Sequence, residues 1–247
     1  MKSSNPALNQ KIIRNFSYTS TDTGVMTVQG TVNKVGILFL LTLAGAVYTW
    51  NKFLAGGPEA VTVWMAIGGI GGFILALITI FNKERANILA PIYAIFEGLF
   101  LGAISAFFAA TYEGIVMRAV MLTMAVLFTL LFAYKSGMIK VTQKFRAGVV
   151  AATVGIAVAY FLSFILSMFG MNTSFMYGGG TMGIIISLVI VGVAALNLVL
   201  DFDFIENGAK AGLPKYFEWY GAFGLMVTLI WLYLEILRLL SLLTGRD

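Results

Sequence analysis

Carboxylates set among apolar residues are the side chains of this sequence best suited to do chemistry. Five of its eleven acidic residues lie between positions 201 and 235, namely Asp201, Asp203, Glu206, Glu218 and Glu235. A charged group at the centre of a membrane helix costs roughly 2.5 to 3.5 kcal/mol, so a retained carboxylate usually binds a cation, carries a proton or pairs with a base. The pattern therefore predicts cation or proton chemistry in the last two apolar segments.

Glu235 and Glu97 are the acids most deeply embedded in apolar sequence. Arg238 follows Glu235 by three residues, so a local ion pair is the alternative to a role in a pore. Glu97 lies about nine residues, or ~14 Å, into its predicted helix. It is either a protonated, hydrogen-bonded carboxyl or a site that exchanges protons or cations. Both predicted helices run in the same direction, so we expect Glu97 and Glu235 to share a depth and to face each other.

Asp201 and Asp203 are predicted to close the sixth apolar segment. A spacing of two divides them between two sides of a helix, so we expect Asp201 to face the bundle and Asp203 to meet water. Acidic residues are unfavourable beside the negative end of a helix dipole, which predicts a nearby cation such as Lys83, Arg85 or a metal ion.

The composition is that of a membrane protein: 60% of the residues are hydrophobic and 11% are charged, and the mean hydropathy is +0.92. Apolar runs without a period of two predict spanning helices rather than a barrel. The chain has no Cys and no His, which excludes disulfides, thiol nucleophiles and imidazole metal sites. We expect no enzyme, no resident cofactor and no nucleic-acid partner; the surroundings are the lipid bilayer.

Seven apolar segments predict an all-α transmembrane bundle over residues 35–247, preceded by a polar cytoplasmic tail over residues 1–34. Glu218 falls in an aromatic connection before the last segment, where we expect it to be solvated at the headgroup level. The predicted spans are Val35 to Trp50, Ala60 to Phe81, Ile88 to Tyr112, Ala119 to Tyr134, Ala147 to Phe169, Met182 to Leu200, and Ala222 to Leu243.

The basic residues predict the orientation. Twelve of the sixteen Lys and Arg residues fall on the side of the predicted bundle that holds the N-terminal tail. The positive-inside rule then predicts a cell (plasma) membrane protein with its N-terminus in the cytoplasm and its C-terminus outside. Glycines four residues apart in the second and third spans, at Gly68 and Gly72 and at Gly98 and Gly102, favour tightly packed helices over a substrate-lining face.

Two motifs carry a family resemblance: residues 195–203 (ALNLVLDFD) and residues 232–235 (LYLE). Over about residues 30 to 243 the chain resembles the Bax inhibitor (transmembrane Bax-inhibitor-motif) family, and its YccA-like bacterial branch in particular. The resemblance implies a pH-sensitive calcium-leak channel with a central last helix, closed by two buried acids that a basic residue holds. Carried onto this chain, the acids are Asp201 and Glu235, and the basic residue is Arg85 or, as second choice, Lys83.

This sequence departs from the family pattern at the second acid. It has Glu235 where the family has Asp, and the interval from Asp201 to Glu235 is about ten residues longer, which predicts a separation of roughly 15 Å along the membrane normal.

The hypothesis from the sequence is a calcium leak with Asp201 and Glu235 as cation ligands, because carboxylate oxygens are the strong cation ligands that the bundle supplies. Glu97, Asp203, Glu206 and Glu218 are further candidates for buried or cation-binding groups. The alternative is a non-conducting regulator that binds a membrane protease or another membrane complex through a determinant in the N-terminal tail.

Overall fold

Seven long helices account for most of the part of the protein that the structure describes. The computed structural model describes residues 24–170 and 180–245. Each of the seven is long and apolar enough to cross a membrane, which confirms the predicted all-helical bundle. The helices are α1 (Val28–Gly56), α2 (Glu59–Phe81), α3 (Ala86–Thr111), α4 (Ile115–Lys135), α5 (Gln143–Met168), α6 (Thr181–Lys210) and α7 (Phe217–Thr244), with a 3₁₀ turn over Lys83–Arg85.

All seven helices begin or end beyond the apolar runs that predicted them, and three of them do so by five residues or more at one or both ends. α1 begins at Val28 rather than Val35, and α7 begins at Phe217 rather than Ala222. α6 continues past Leu200 to Lys210, so the two aspartates lie within the helix rather than at its end. Hydropathy stops a span at its first polar residues, whereas here those residues continue the helix because they find partners in the bundle. Of the predicted tail, residues 1–23 lie outside the described residues.

A glycine ends α6. Gly212 has a φ of 65°, in the left-handed region that favours glycine after a helix. The N–H of Leu213 then donates to Gly208 O at 3.1 Å. The N–H of Met26, just before α1, donates to Leu213 O at 2.7 Å. The start of the first helix is therefore attached to the connection between the last two.

The connections group at two ends of the bundle. We call the end that holds residues 24–27, 82–85, 136–142 and 211–216 the N-terminal end, and the other the opposite end.

α7 is the central helix, as the resemblance implied. It contacts α1, α3, α4 and α6. Half of its most apolar segment is buried, the largest share among the described helices. α5 is the other extreme: 11% of its apolar segment is buried, and its backbone packs along α6.

Glycines bring the backbones of α1, α2 and α3 into contact. A Cβ at Gly98 of α3 would lie 2.2 Å from Thr42 O of α1, and a Cβ at Gly68 of α2 would lie 2.7 Å from Phe96 O of α3. Both distances are too short for any side chain. These glycines therefore serve close helix packing, as their spacing predicted.

Candidate functional site

Asp201 lies within α6 and faces the central helix, as predicted. A Cβ at Gly224 of α7 would lie 3.9 Å from Asp201 Oδ1. The Thr228 hydroxyl, one turn further along α7, lies near the same carboxyl group and donates to Gly224 O at 3.3 Å. Asp201 Oδ2 is buried and has no hydrogen-bond partner among the described residues. Asp201 therefore keeps one carboxyl oxygen unsatisfied at the contact between α6 and α7.

Asp203 lies on a different side of α6, because residues two apart are about 200° apart around a helix. Its Oδ2 is 2.5 Å from Arg146 Nη2 at the start of α5. Its Oδ1 accepts a long hydrogen bond, 3.5 Å, from the Tyr134 hydroxyl of α4. The expectation that Asp203 meets water is wrong: the residue is only 7% exposed, because Arg146 and Tyr134 cover it.

Glu206 and Glu218 both form ion pairs near the N-terminal end. Glu206 pairs with Lys210, one turn along α6, at the protein surface. Glu218 is 1% exposed and lies 2.5 Å from Lys34 Nζ. It also accepts hydrogen bonds from the Thr27 N–H at 3.0 Å and the Thr27 hydroxyl at 2.9 Å. The expectation that Glu218 is solvated is wrong, because its carboxylate neutralises Lys34 and accepts the hydrogen bonds of Thr27, the residue just before α1.

Glu235 lies on α7 toward the opposite end and is 6% exposed. Its Oε1 accepts a 2.6 Å hydrogen bond from the Tyr160 hydroxyl of α5 and a 3.3 Å bond from Trp231 Nε1. Its Oε2 lies 3.9 Å from Arg238 Nη1 but makes no hydrogen bond within the described structure. Arg238 Nη1 also donates to the Tyr160 hydroxyl, at 3.0 Å. The local pair with Arg238 is thus present, together with a contact to α5.

Asp201 and Glu235 do not contact each other. Asp201 is level with Thr228, and Glu235 lies two turns further along α7, roughly 10 Å away. One calcium ion binds its ligands at about 2.3 to 2.6 Å, so both carboxylates cannot hold the same ion here. Among residues 24–170 and 180–245, no three acids come together as a metal site. The assignment of Asp201 and Glu235 as cation ligands stays a prediction, and each would have to bind an ion separately.

The predicted basic latch is not engaged with Asp201. Arg85 is exposed in the 3₁₀ turn before α3, and no ion pair within the described ranges involves it. Lys83 Nζ lies 5.4 Å from the centre of the Tyr220 ring instead. The latch role of Arg85 stays a prediction about another conformation.

Glu97 faces α2, and the prediction that it faces Glu235 is wrong. A Cβ at Gly72 of α2 would lie 2.7 Å from Glu97 Oε1, whereas Glu235 contacts α5. Their depths also differ. Ser105 of α3 hydrogen-bonds Tyr233 of α7 at 2.6 Å, so Glu235 lies beyond the level of Ser105. Ser105 is itself two turns past Glu97, or roughly 12 Å.

Three polar residues of α5 were not predicted as site residues. Arg146 and Tyr160 contact the acids described above, and between them Thr153 Oγ1 accepts a 2.8 Å hydrogen bond from Asn197 Nδ2 of α6. The three recur at every seventh position. Residues seven apart share a helix face, so the spacing was a usable signal for a polar face directed into the bundle.

This geometry defines a class of protein: a polytopic helical membrane protein with carboxyl groups buried around a central C-terminal helix. A sequence model described as Bax inhibitor 1 like matches residues 5–245. The chain therefore belongs to the Bax inhibitor 1 like family. Comparisons with curated proteins and with solved structures give no match. Membership of the YccA-like branch stays a prediction.

Proposed function

We propose that this protein leaks cations, with calcium as the transported ion, through a path whose opening depends on the ionisation of buried carboxyl groups. The observation that supports it is that Asp201 and Glu235 each keep a buried oxygen without a hydrogen-bond partner among the described residues. Such an oxygen raises the free energy of a low-dielectric interior, and a bound cation or proton removes that cost. Carboxylate oxygens are also the hard ligands that suit calcium.

Ionisation enters the proposal because a proton and a cation compete for the same oxygens. A protonated carboxyl group no longer attracts a cation, and its loss of charge also weakens any salt bridge that it makes. In this mechanism Asp201 is the gate, Glu235 is a cation ligand further along α7, and Arg85 is the latch that pairs with Asp201 in a conformation other than the described one. Membership of the family supports the same assignment of roles.

A flux measurement on the purified protein tests this function. Liposomes loaded with a calcium dye would compare the parent with Asp201→Asn and Glu235→Gln across a pH series. We expect Asp201→Asn to flatten the pH dependence and change the basal leak, because an amide cannot ionise. Glu235→Gln should lower flux at every pH, because the path loses a cation ligand. Glu59→Gln, at an exposed acid at the opposite end, is the control and should leak like the parent.

The outcome also separates the two candidate functions. If both variants fold, reconstitute and leak with the parent's rate and pH profile, the carboxylate gate is refuted. A parent protein without any calcium flux would favour the non-conducting regulator that binds a membrane protease.

We further propose that the N-terminal end faces the cytoplasm and that the protein resides in the plasma membrane. The support is the concentration of Lys and Arg at that end. The chain has no Cys, so single cysteines report the topology cleanly. Lys140→Cys should react with an impermeant maleimide only in inverted vesicles, and Glu113→Cys, at the opposite end, only in intact cells. Reaction of position 140 in intact cells would reverse the orientation.

A further inference from the structure

α5 directs three polar side chains, those of Arg146, Thr153 and Tyr160, to partners in the bundle, and most of its large apolar side chains are exposed. Arg146, Thr153 and Tyr160 share the inner face, because a seven-residue step rotates by only about 20° around an α-helix. The outer surface of α5 is apolar and exposed, as is usual for a face that meets acyl chains. Its exposed apolar residues include Val150, Val154, Val158, Phe161 and Phe164.

The inner face of α5 makes polar contacts at three depths. The two end residues of this face lie fourteen positions apart, roughly 21 Å along the axis, or about two thirds of a ~30 Å hydrocarbon layer. From the N-terminal end to the opposite end, the contacts are Arg146–Asp203, Thr153–Asn197 and Tyr160–Glu235. We call these six residues the polar seam.

Apolar packing contributes little to the attachment of α5. Two of its residues, Val149 and Ser163, are buried, against thirteen in α7. Hydrogen bonds between membrane helices are individually weak, because both groups find other partners when the helices separate. Water can replace the partners in the polar seam, and the outer face makes no packing contacts that a displacement would break, since its apolar side chains are exposed. α5 is therefore the helix that can move at the lowest cost in free energy.

An arginine lies beside the carboxylate at each end of the polar seam. Arg146 pairs with Asp203 at the N-terminal end, and Arg238 lies beside Glu235 toward the opposite end. Arg146 and Tyr160 both belong to α5, so one displacement of this helix removes the cation from Asp203 and the hydroxyl from Glu235 together. Oxygens of Asp203, Thr153 and Glu235 would then line a continuous hydrated gap.

We infer that the polar seam is the path of the proposed cation leak and that α5 is its movable wall. The inference rests on the proposed function and adds to it where the ion passes and which helix moves. Asp201 remains the ionisable gate beside this path, one turn from Asn197 along α6. Its ligand is a hydrated cation, because the seam offers the hard oxygens of two carboxylates and a hydroxyl group. Glu235 Oε2 is available to such a cation, since it is buried, makes no hydrogen bond in the described structure and has Arg238 Nη1 no closer than 3.9 Å.

Two neighbouring cysteines of α5 test the inference. Thr153→Cys places a thiol in the polar seam, and Val154→Cys places one on the outer face, where Val154 is 55% exposed toward lipid. A small, positively charged methanethiosulfonate would be applied to each reconstituted protein. We expect at least about tenfold faster reaction at position 153, because the thiolate is the reactive form and needs water. Modification there should block calcium flux, and modification at position 154 should not.

The outcomes separate the path from the function. Equal reaction rates at the two positions would show that the seam takes up no water and would overturn the inference. Fast reaction at position 153 with unchanged flux would also overturn it while leaving the leak itself intact. A parent without flux would refute the proposed function and the path with it. Ile156→Cys, on the same inner side, repeats the test if Thr153→Cys does not fold.

Discussion

The α1–α2–α3 layer and α5 are attached to the rest of the protein by opposite means. In the layer, backbone meets backbone, and a Cβ at Gly98 would lie 2.2 Å from Thr42 O. In α5, a Cβ at Gly148 or Gly155 would have nothing within 4 Å, and polar side chains make the contacts. A close-packed backbone contact cannot be exchanged for water, whereas a side-chain hydrogen bond can. We therefore expect the α1–α2–α3 layer to stay rigid and α5 to be the part of the protein that moves.

The largest expected effect is in the rigid layer. Gly98→Ala forces α1 and α3 apart and should lower the free energy of unfolding by about 3 kcal/mol, the upper part of the range for overpacking. The matched control is Gly155→Ala in α5, which has room for the methyl group and should be neutral or slightly stabilising. Thermal unfolding in detergent measures both. Equal effects at the two glycines would remove the distinction between the layer and α5.

Tyr160→Phe removes the hydroxyl that connects α5 to Glu235. A hydrogen bond to a charged group contributes about 2 kcal/mol, so we expect a loss of stability of that order and a changed calcium leak. Tyr233→Phe is the control: its hydroxyl bonds Ser105 between α3 and α7, away from the polar seam. It should cost about 1 kcal/mol as a neutral pair and leave the leak unchanged. If the Tyr160→Phe protein had the parent's flux, the hydrogen bond between Tyr160 of α5 and Glu235 would have no part in gating.

Arg146→Ala uncovers Asp203 at the other end of the polar seam. The unpaired carboxylate should cost about 1 kcal/mol, at the low end for a lost charged partner because the Arg146 side chain is 59% exposed to solvent. Calcium flux should rise, since the cation that covers Asp203 is gone. Adding Asp203→Asn should restore stability without restoring the parent's flux. Lower flux in Arg146→Ala would mean that Arg146 does not close the path.

The sequence predicted what depends on hydropathy and spacing along one helix. Seven spans, close glycine contacts and the division of Asp201 from Asp203 follow from local periodicity, and the structure has all three. Partners distant in sequence were not predictable in this way. Glu218 was expected in water because it falls in a charged, aromatic connection typical of the headgroup level, whereas Lys34 reaches it from α1.

The rotation of each helix about its own axis was the other quantity that was not predictable from the sequence. The depth of Glu97 was inferred from residue counts, but its direction depends on how α3 packs, and Gly72 of α2 leaves the space into which it points. The polar face of α5 shows that a single sequence can contain this information. Arg146, Thr153 and Tyr160 give the direction of α5 by their spacing, although the number of neighbours that pack on the helix cannot be read from it.

The smallest expected change in stability belongs to the middle of the polar seam. Thr153→Val keeps the shape of the side chain and removes the oxygen that accepts the hydrogen bond from Asn197. Interhelical hydrogen bonds in membranes average about 0.6 kcal/mol, and we expect a destabilisation of that size. Thr123→Val in α4 is the control, because the Thr123 hydroxyl donates to Ala119 O of its own helix.

The effect of Thr153→Val on flux should be much larger than its effect on stability. A methyl group in place of the hydroxyl interrupts the row of oxygens between Asp203 and Glu235, and an ion that passes there loses a ligand where the path has fewest. We expect flux to fall while unfolding is nearly unchanged, and Thr123→Val to alter neither. A flux that changes only in proportion to stability, in both variants, would make Thr153 an ordinary packing contact and would place the moving part of the protein outside α5.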